Sequence, residues 1–173
     1  MGLITDTELA AAKKKPDDLW FRQGVQGIIS RAIAGSWAEP LMLARRAFGE
    51  ATEQPFESIA RLTGSLAGKV LRPFFTLARS EGEHRLEDTL KATRLAENMT
   101  GIYGDDFYIN DKRVVRRVHT CPFRSREGAT IICHVGEAAG QELFKELVPG
   151  TRHKVHVTMA RGHAHCEYSY EID

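Results

Sequence analysis

The sequence predicts an α+β fold, in which a helical N-terminal half packs against a C-terminal antiparallel β-sheet with one inserted helix. Two patterns predict it. Through residues 1–100 the apolar residues recur at three- and four-residue spacing, which is typical of helices. From 101 to 173 the pattern changes to short β-rich runs separated by turn residues. A chain of 173 residues buries most of its apolar surface without disulfides, so one domain over 1–173 is expected.

The helical half is predicted to contain three or four helices, the last of them ending near Met99. Gly35 and Ser36, followed by Pro40, interrupt the first long apolar pattern and are expected to break a helix there. Gln54 and Pro55 are expected to open the next helix, because proline is favoured in the first helical turn. These residues set the predicted helix boundaries.

Later residues divide the helical half further. Pro73 lies in an apolar stretch and is expected to kink or restart a helix. Residues 80–83 are expected to lead into a last helix, whose apolar positions are Leu86, Leu90 and Leu95. The basic run 13–15 is interpreted as a solvated lysine cluster at a helix end.

The C-terminal part is predicted to begin with a hairpin around the turn residues Asn110 and Asp111. A third short strand is expected at 129–133, and a helix at 137–147 that stops before Pro149 and Gly150. The two final strands are expected at 152–160 and 165–172, joined by a short glycine-containing connection.

Charge and targeting patterns restrict the class of partner. The 24 basic and 23 acidic side chains nearly cancel, so neither nucleic acid nor an anionic membrane is expected to be strongly attracted. The N-terminus lacks the pattern of a secretory signal, and no apolar run approaches the roughly 20 residues that span a bilayer. The expected location is the cytoplasm, and the expected partner is a small molecule, with a homo-oligomer also considered because of Trp20, Phe21 and Trp37.

All three cysteines and most of the histidines lie between His119 and Cys166. Thiolate sulfur and neutral imidazole are preferred ligands of zinc, and a catalytic zinc needs only three protein ligands. A divalent metal, most simply zinc, is therefore predicted. Its candidate ligands are Cys121, Cys133, Cys166, His119, His163 and His165.

Two other roles for the cysteines stay open. Cys133 precedes a predicted helix start, and a helix N-terminus lowers the pKa of a thiol, so this residue is a candidate nucleophile. Free cysteines are also among the most buried residue types, so all three are equally interpretable as core residues. Glu137 and Glu167 are candidate proton shuttles, although a surface position suits either of them as well.

The remaining arginines and histidines are expected either to bind substrate or to have no role in the site. Arg117 and Arg124, with Arg116 and Arg126 nearby, flank Cys121 and are suited to holding a carboxylate by bidentate hydrogen bonds. A change of the pocket-facing arginine to methionine is expected to raise the Michaelis constant and leave folding intact. His153 and His156 are interpreted as exposed or hydrogen-bonded strand residues, and His84 as a surface residue.

Three short segments resemble a known family. They are Val118-His119-Thr120-Cys121-Pro122-Phe123, then Ile132-Cys133-His134, then Arg161-Gly162-His163-Ala164-His165-Cys166-Glu167-Tyr168. Together they resemble the L-2-amino-thiazoline-4-carboxylic acid hydrolase family. The resemblance implies a cytoplasmic hydrolase that opens a C=N bond of a small cyclic amidine, with metal help and with Cys121, Cys133 and Cys166 at the functional positions. Gly136 stands where an aspartate is expected, beside Glu137.

The same ending is also similar to 4-vinyl reductase-like domains, which are small-molecule sensors that hold a metal through cysteines. Three hypotheses therefore remain: a metal- or thiol-dependent hydrolase, a ligand-sensing domain with a structural metal, and a plain globular module. The chain reaches Asp173 directly after its last predicted strand and shows no DNA-binding or ATPase segment, which favours the hydrolase.

Overall fold

The structure is a computed structural model that describes residues 4–16, 25–77, 85–124 and 126–172. Its helices are α1 Asp6–Ala11, α2 Val25–Phe48, α3 Glu53–Leu77, α4 Arg85–Met99 and α5 Thr130–Leu147. Its strands are β1 Lys13–Pro16, β2 Tyr103–Asn110, β3 Arg113–Thr120, β4 Thr151–Val157 and β5 Cys166–Ile172. Short 3-10 helices at Gly49–Thr52 and Met159–Arg161 complete these elements.

The strands form one antiparallel sheet in the order β1-β2-β3-β5-β4, with the helices α3, α4 and α5 on its inner face. The predicted α+β class is confirmed. The hairpin at Asn110 and Asp111 is confirmed as well, since β2 and β3 pair directly across it. The outer face of the sheet packs against α1, where Ile4 contacts a cluster that includes Phe107 and Val115.

The lysine run 13–15 was predicted as a helix end, and this prediction is wrong. It forms β1, an edge strand that pairs with β2 in the register Lys14 to Phe107. Lysine suits an edge strand because its charge opposes pairing with another chain. Lys14 also forms an ion pair with Asp105 at 2.9 Å, and Lys15 with Glu87 at 2.6 Å.

The predicted break at Gly35, Ser36 and Pro40 is also wrong, because α2 continues through all three residues. Proline removes one backbone hydrogen bond and disfavours the preceding turn. The flanking Ala38 and Met42 are fully buried, and this packing stabilises the helix across Pro40. Tertiary contacts therefore outweigh the local preference of proline here.

The predictions for α3 and α4 are largely confirmed. α3 begins at Glu53, so Pro55 lies in its first turn, where its missing N–H leaves no hydrogen bond unmade. Pro73 does not restart the helix, which runs on to Leu77. α4 ends at Met99 as predicted. Residues Trp20, Phe21, His84 and the predicted link at 80–83 lie outside the described residues, as does the side chain of Trp37.

The predicted strand at 129–133 is the start of α5, which begins at Thr130 instead of near Glu137. Ile131 and Ile132 are buried in this first turn. A short run of apolar residues has the same pattern in a buried strand and in a buried helix, so periodicity alone does not separate the two. The correction places Cys133 inside the first turn of α5.

α3 packs on α5 through glycines. A methyl group on Gly64 would lie 2.1 Å from the carbonyl oxygen of Ala139, and one on Gly68 would lie 2.5 Å from Cβ of Glu146. Both methyl groups would clash with α5. The two helix backbones can therefore approach this closely only because glycine has no side chain. This close contact holds α3 beside α5, so that residues of α3 line the cavity between the helices and the sheet.

The opposite face of α3 is apolar and exposed. Its side chains Ile59, Leu62, Leu66 and Val70 are each more than half exposed. They recur at three- and four-residue spacing and so lie on one stripe of the helix. The homo-oligomer stays a prediction, and this stripe is one of the exposed apolar surfaces of the described residues.

Among the described residues, no helix combines the length and the apolar character needed to cross a lipid bilayer.

Candidate functional site

A cavity of about 380 Å³ lies between the helices α3, α4 and α5 and the inner face of the sheet. Most of its lining is apolar, and the apolar side chains include Ile102, Val118, Phe123, Ile132, Leu143 and Phe144. Gly136 of α5 also lines the cavity and is exposed, so the cavity reaches solvent beside this residue. This size and this lining are typical of a small-molecule site.

The polar lining is sparse. Among the described residues that line the cavity there is no lysine and no arginine, while Glu97, Glu137 and His153 are present. Glu97 accepts a hydrogen bond from Nε of Arg116 at 2.5 Å and one from the Tyr168 hydroxyl at 3.0 Å. The Glu97 carboxylate therefore already accepts two hydrogen bonds from the protein without a ligand.

Glu97 belongs to a buried ion network with Arg94, Asp106 and Arg116. The fully buried Arg116 donates to Asp106 at 3.0 Å, and Nε of Arg94 lies 3.2 Å from Asp106. Burial raises the pKa of Glu97, and the adjacent Arg116 opposes that rise. Two cations and two anions balance in this network, so it adds no net charge behind the cavity wall.

His153 was interpreted as an exposed or hydrogen-bonded residue, but its side chain is half-buried and lines the cavity. Its ring stacks on Tyr170 with centroids 4.9 Å apart and meets Phe144 and Tyr168 edge-on at 5.5 and 5.9 Å. Burial lowers the pKa of His153 to about 4, so the imidazole is neutral at pH 7. Its Nδ1 is buried and has no hydrogen-bond partner among the described residues.

The three cysteines all line this cavity. Cys121 packs against the core cluster that contains Cys166, and both Cys121 and Cys133 disfavour a negative charge on Cys166. Burial raises the pKa of Cys121 to about 11, raises that of Cys166 to about 12, and also raises the pKa of Cys133. The three cysteines therefore share the lining of one cavity, and their roles stay a prediction.

The thiols are protonated at neutral pH in these surroundings. The helix N-terminus was expected to lower the pKa of Cys133, and this expectation is wrong, because the pKa is raised. Cys133 does lie in the first turn of α5, but desolvation of the thiolate outweighs the stabilisation from Thr158 and Arg161. A cavity with neutral thiols is better suited to binding an apolar molecule than to nucleophilic attack.

The two candidate proton shuttles lie in different places. Glu137 lines the cavity, where its carboxylate accepts the backbone N–H of Val155 at 3.3 Å. Glu167 is buried on the outer face of the sheet and accepts hydrogen bonds from Arg117 and from the backbone N–H of Ile4. Of the two, only Glu137 is placed to act on a molecule in the cavity.

The predicted histidine ligands do not line the cavity with the cysteines. His119 lies 2.8 Å from Asp105, His163 is exposed, and His165 lies 3.7 Å from Glu167. Within the described ranges, no set of three or more histidine, cysteine, aspartate or glutamate side chains is arranged to hold a metal ion. The six predicted ligands therefore do not form one metal site among the described residues, and zinc stays a prediction.

The arginines predicted to hold a carboxylate also lie away from the cavity. Arg117 pairs with Glu167 at 2.9 Å on the outer face, and Arg124 is exposed. Arg126 pairs with Glu39, and Arg116 belongs to the buried ion network. A carboxylate inside the cavity would meet no guanidinium from these four residues.

Among the cavity residues that the sequence analysis did not place in the site are His153 and Glu97. The alternation of β4 contained a usable indication, because Arg152 and Lys154 are exposed while His153 between them faces inward. No comparable pattern indicates Glu97, whose partner Arg116 lies on β3. Family models, curated proteins and solved structures were all compared with the chain, and none of them matched it.

Proposed function

We propose that this domain binds a small, uncharged and predominantly apolar molecule in the cavity between its helices and its sheet. The observation that supports the proposal is the cavity itself, about 380 Å³ in volume and almost entirely apolar in its lining. That volume corresponds to about a dozen water molecules at roughly 30 Å³ each. Displacing poorly bound water from apolar walls favours an apolar ligand.

The electrostatics of the lining favour a neutral ligand. The Cys121 and Cys166 thiols are protonated, and the imidazole of His153 is neutral, because burial disfavours the charged form of each. Glu97 is balanced by Arg116. An anionic ligand would lose its hydration without gaining a lysine or arginine partner among the described lining residues, which is costly in a low-dielectric site.

The test uses 2-methylnaphthalene as an apolar probe and 2-naphthoate as a charged analogue, with binding measured by isothermal titration calorimetry. We expect 2-methylnaphthalene to bind and 2-naphthoate to bind at least about tenfold more weakly, since a buried, unpaired carboxylate is unfavourable. Gly136→Leu should weaken 2-methylnaphthalene binding, because a side chain at Gly136 meets no protein atom within 4 Å and extends into the cavity entrance.

Lys145→Leu is the matched control, since it adds the same leucine to α5 at a side chain that is 60% exposed and does not line the cavity. Equal weakening in both variants, or no binding of 2-methylnaphthalene to the unmodified protein, would contradict the proposal. A preference for 2-naphthoate would point to a cationic site elsewhere on the protein.

A hydrolase that opens a C=N bond of a small heterocycle is the second candidate function. One observation favours it: Cys121, Cys133 and Cys166 line the same cavity as Glu137. In that case a thiol would add across the C=N bond while Glu137 relays the thiol proton to the ring nitrogen. The bond between that carbon and the ring nitrogen would then break, and water would hydrolyse the covalent adduct and regenerate the thiol. The raised pKa values of the thiols oppose this chemistry, so it ranks below ligand binding.

The two candidates separate in one assay. The unmodified protein is incubated with 2-amino-2-thiazoline, ring opening is followed by mass spectrometry, and the metal content per chain is measured on the same sample. From ligand binding alone we expect no turnover. Turnover that disappears in Cys133→Ala and Glu137→Gln, but not in Lys145→Leu, would establish the hydrolase instead.

A further inference from the structure

We propose that Glu137, at the mouth of the cavity, accepts a hydrogen bond from a neutral donor group on the ligand. This inference rests on the proposed ligand-binding function and adds the chemical class of the ligand. That class is an apolar ring with one neutral O–H or N–H group, such as a phenol or an aromatic amine. The ring fills the apolar part of the cavity, and the donor group lies at the mouth.

The mouth of the cavity lies where Gly136 and Glu137 of α5 face Val155 of β4, and all three residues line the cavity. Gly136 is exposed, and a methyl group on it would meet no protein atom within 4 Å. Glu137 and Val155 are half-buried, whereas the lining residues Val118 and Phe123 are buried. A polar group beside Glu137 therefore stays close to water and avoids most of the cost of desolvation.

The Glu137 carboxylate can accept more hydrogen bonds than the protein gives it. Its Oε1 accepts the backbone N–H of Val155 at 3.3 Å, which is longer than the usual limit of about 3.2 Å. No second hydrogen bond to this carboxylate is formed within the described residues. A carboxylate has two oxygens and about four acceptor positions. A ligand can therefore donate to Glu137 while Val155 keeps its bond.

The chemistry of a carboxylate decides which ligand group it binds. A carboxylate accepts hydrogen bonds and donates none, so the group on the ligand has to be a donor. An ether or carbonyl oxygen at the same place would bring its lone pairs against the Glu137 oxygens. Hydrogen bonds to an ionised acceptor are roughly twice as strong as those between neutral groups, which favours a hydroxyl over a methyl group here.

The other polar groups of the lining are less suited to this role. Nδ1 of His153 and the hydroxyl of Thr158 are buried inside the wall, where a ligand in the cavity does not reach them. Glu97 already accepts hydrogen bonds from Arg116 and from the Tyr168 hydroxyl. These groups therefore add little to the recognition of a donor group.

Thr63 of α3 is the alternative recognition group, because it lines the cavity and is exposed. Its hydroxyl donates to the carbonyl oxygen of Ile59 at 2.8 Å, which leaves its own oxygen able to accept. That oxygen is neutral, so its hydrogen bond to a ligand is weaker than one to the Glu137 carboxylate. Thr63 and Glu137 are therefore compared directly in the test.

The experiment compares three naphthalenes that differ in one substituent: 2-naphthol donates a hydrogen bond, 2-methoxynaphthalene only accepts, and 2-methylnaphthalene does neither. Affinities are measured by isothermal titration calorimetry on the full chain. We expect the unmodified protein to prefer 2-naphthol over both other compounds by about tenfold, as for one hydrogen bond to a charged group. Glu137→Leu should lose this preference and still bind 2-methylnaphthalene. Glu137→Gln keeps a neutral acceptor, so its preference should fall to about threefold.

Glu142→Leu is the matched control, since it makes the same change on α5 at a residue that does not line the cavity. Arg61, the ion-pair partner of Glu142 on α3, keeps its pair with Glu57 in this variant. Glu142→Leu and Thr63→Val should both keep the preference for 2-naphthol.

Each other outcome overturns a stated claim. A preference that persists in Glu137→Leu and disappears in Thr63→Val would assign recognition to Thr63. Loss of the preference in Glu142→Leu as well would show that the effect does not depend on the mouth of the cavity. Equal affinity of the three compounds for the unmodified protein would refute donor recognition and leave the ligand-binding function intact. Binding of none of them would overturn both proposals. If Glu137→Leu does not fold, an unreduced preference in Glu137→Gln refutes the inference.

Discussion

Replacing Arg116 by methionine should lower the free energy of unfolding by about 3–5 kcal/mol, the usual cost of removing one partner from a buried ion pair. Arg116 is fully buried and contacts Glu97 at 2.5 Å and Asp106 at 3.0 Å. Without its guanidinium, the carboxylates of Glu97 and Asp106 lose the cation that pairs with both of them. This expectation replaces the sequence-based one, in which an arginine-to-methionine change in this group leaves folding intact.

Urea denaturation at pH 7 measures the effect, with Arg124→Met as the matched control. Arg124 is exposed, and exposed substitutions usually change stability by less than about 0.5 kcal/mol. A loss for Arg116→Met no larger than that of the control would mean that methionine packing replaces the ion network without cost, as happens in some buried ion pairs.

The pH dependence of the Arg116→Met variant identifies the cause of its instability. Burial already raises the pKa of Glu97, and loss of Arg116 removes the group that opposes this rise. A carboxyl whose folded pKa is raised above its unfolded value binds its proton more readily when folded, so acidification relieves the cost. The difference from the unmodified protein should therefore shrink between pH 7 and pH 5, whereas a packing defect would stay constant.

The fold class was predictable because it depends on periodicity, which is a local property. The switch near Gly101 from helical to strand spacing marks the boundary that α4 and β2 confirm. The errors occur where tertiary packing outweighs local preference. Pro40 continues a helix because its neighbours are buried, and the apolar run at 129–133 becomes helical because α5 packs along α3.

The candidate site was predictable only in part. The cysteines were identified by type and do line one cavity, because β3, β5 and the start of α5 meet at its walls. Glu97 and His153 were not identified, because their importance comes from burial and from partners that lie on other strands. The state of a titratable group depends on desolvation, which neither residue type nor spacing reveals.

His153 also determines how the protein responds to acid. Its pKa is lowered to about 4 in the folded protein by burial, with a smaller contribution from His156. In the unfolded chain the imidazole has its ordinary pKa near 6.5, so between pH 6.5 and pH 4 the unfolded state binds more protons than the folded state. Stability therefore falls as the pH falls through this window.

Between pH 7 and pH 5 the contribution of His153 should lower the free energy of unfolding by about 2 kcal/mol, from the proton linkage of a single group. The measurement is urea denaturation of the unmodified protein and of His153→Phe at both pH values. Two other groups also change the free energy of unfolding on acidification. Burial raises the pKa of Glu97, so protonation of this carboxyl stabilises the folded protein. The pKa of His156 is lowered by burial, so this residue destabilises it, as His153 does. Both groups are present in both proteins, so the difference between them isolates His153.

His163→Phe is the control for this measurement, because His163 is exposed on the connection between β4 and β5. It should keep the acid sensitivity of the unmodified protein, whereas His153→Phe should lose about 2 kcal/mol of it, as the linkage of one buried imidazole requires. Equal acid sensitivity in all three proteins would mean that His153 binds its proton as easily in the folded protein as in the unfolded chain. In that case the cavity would admit enough water to hydrate an imidazolium, and the neutral, apolar environment on which ligand binding depends would not exist.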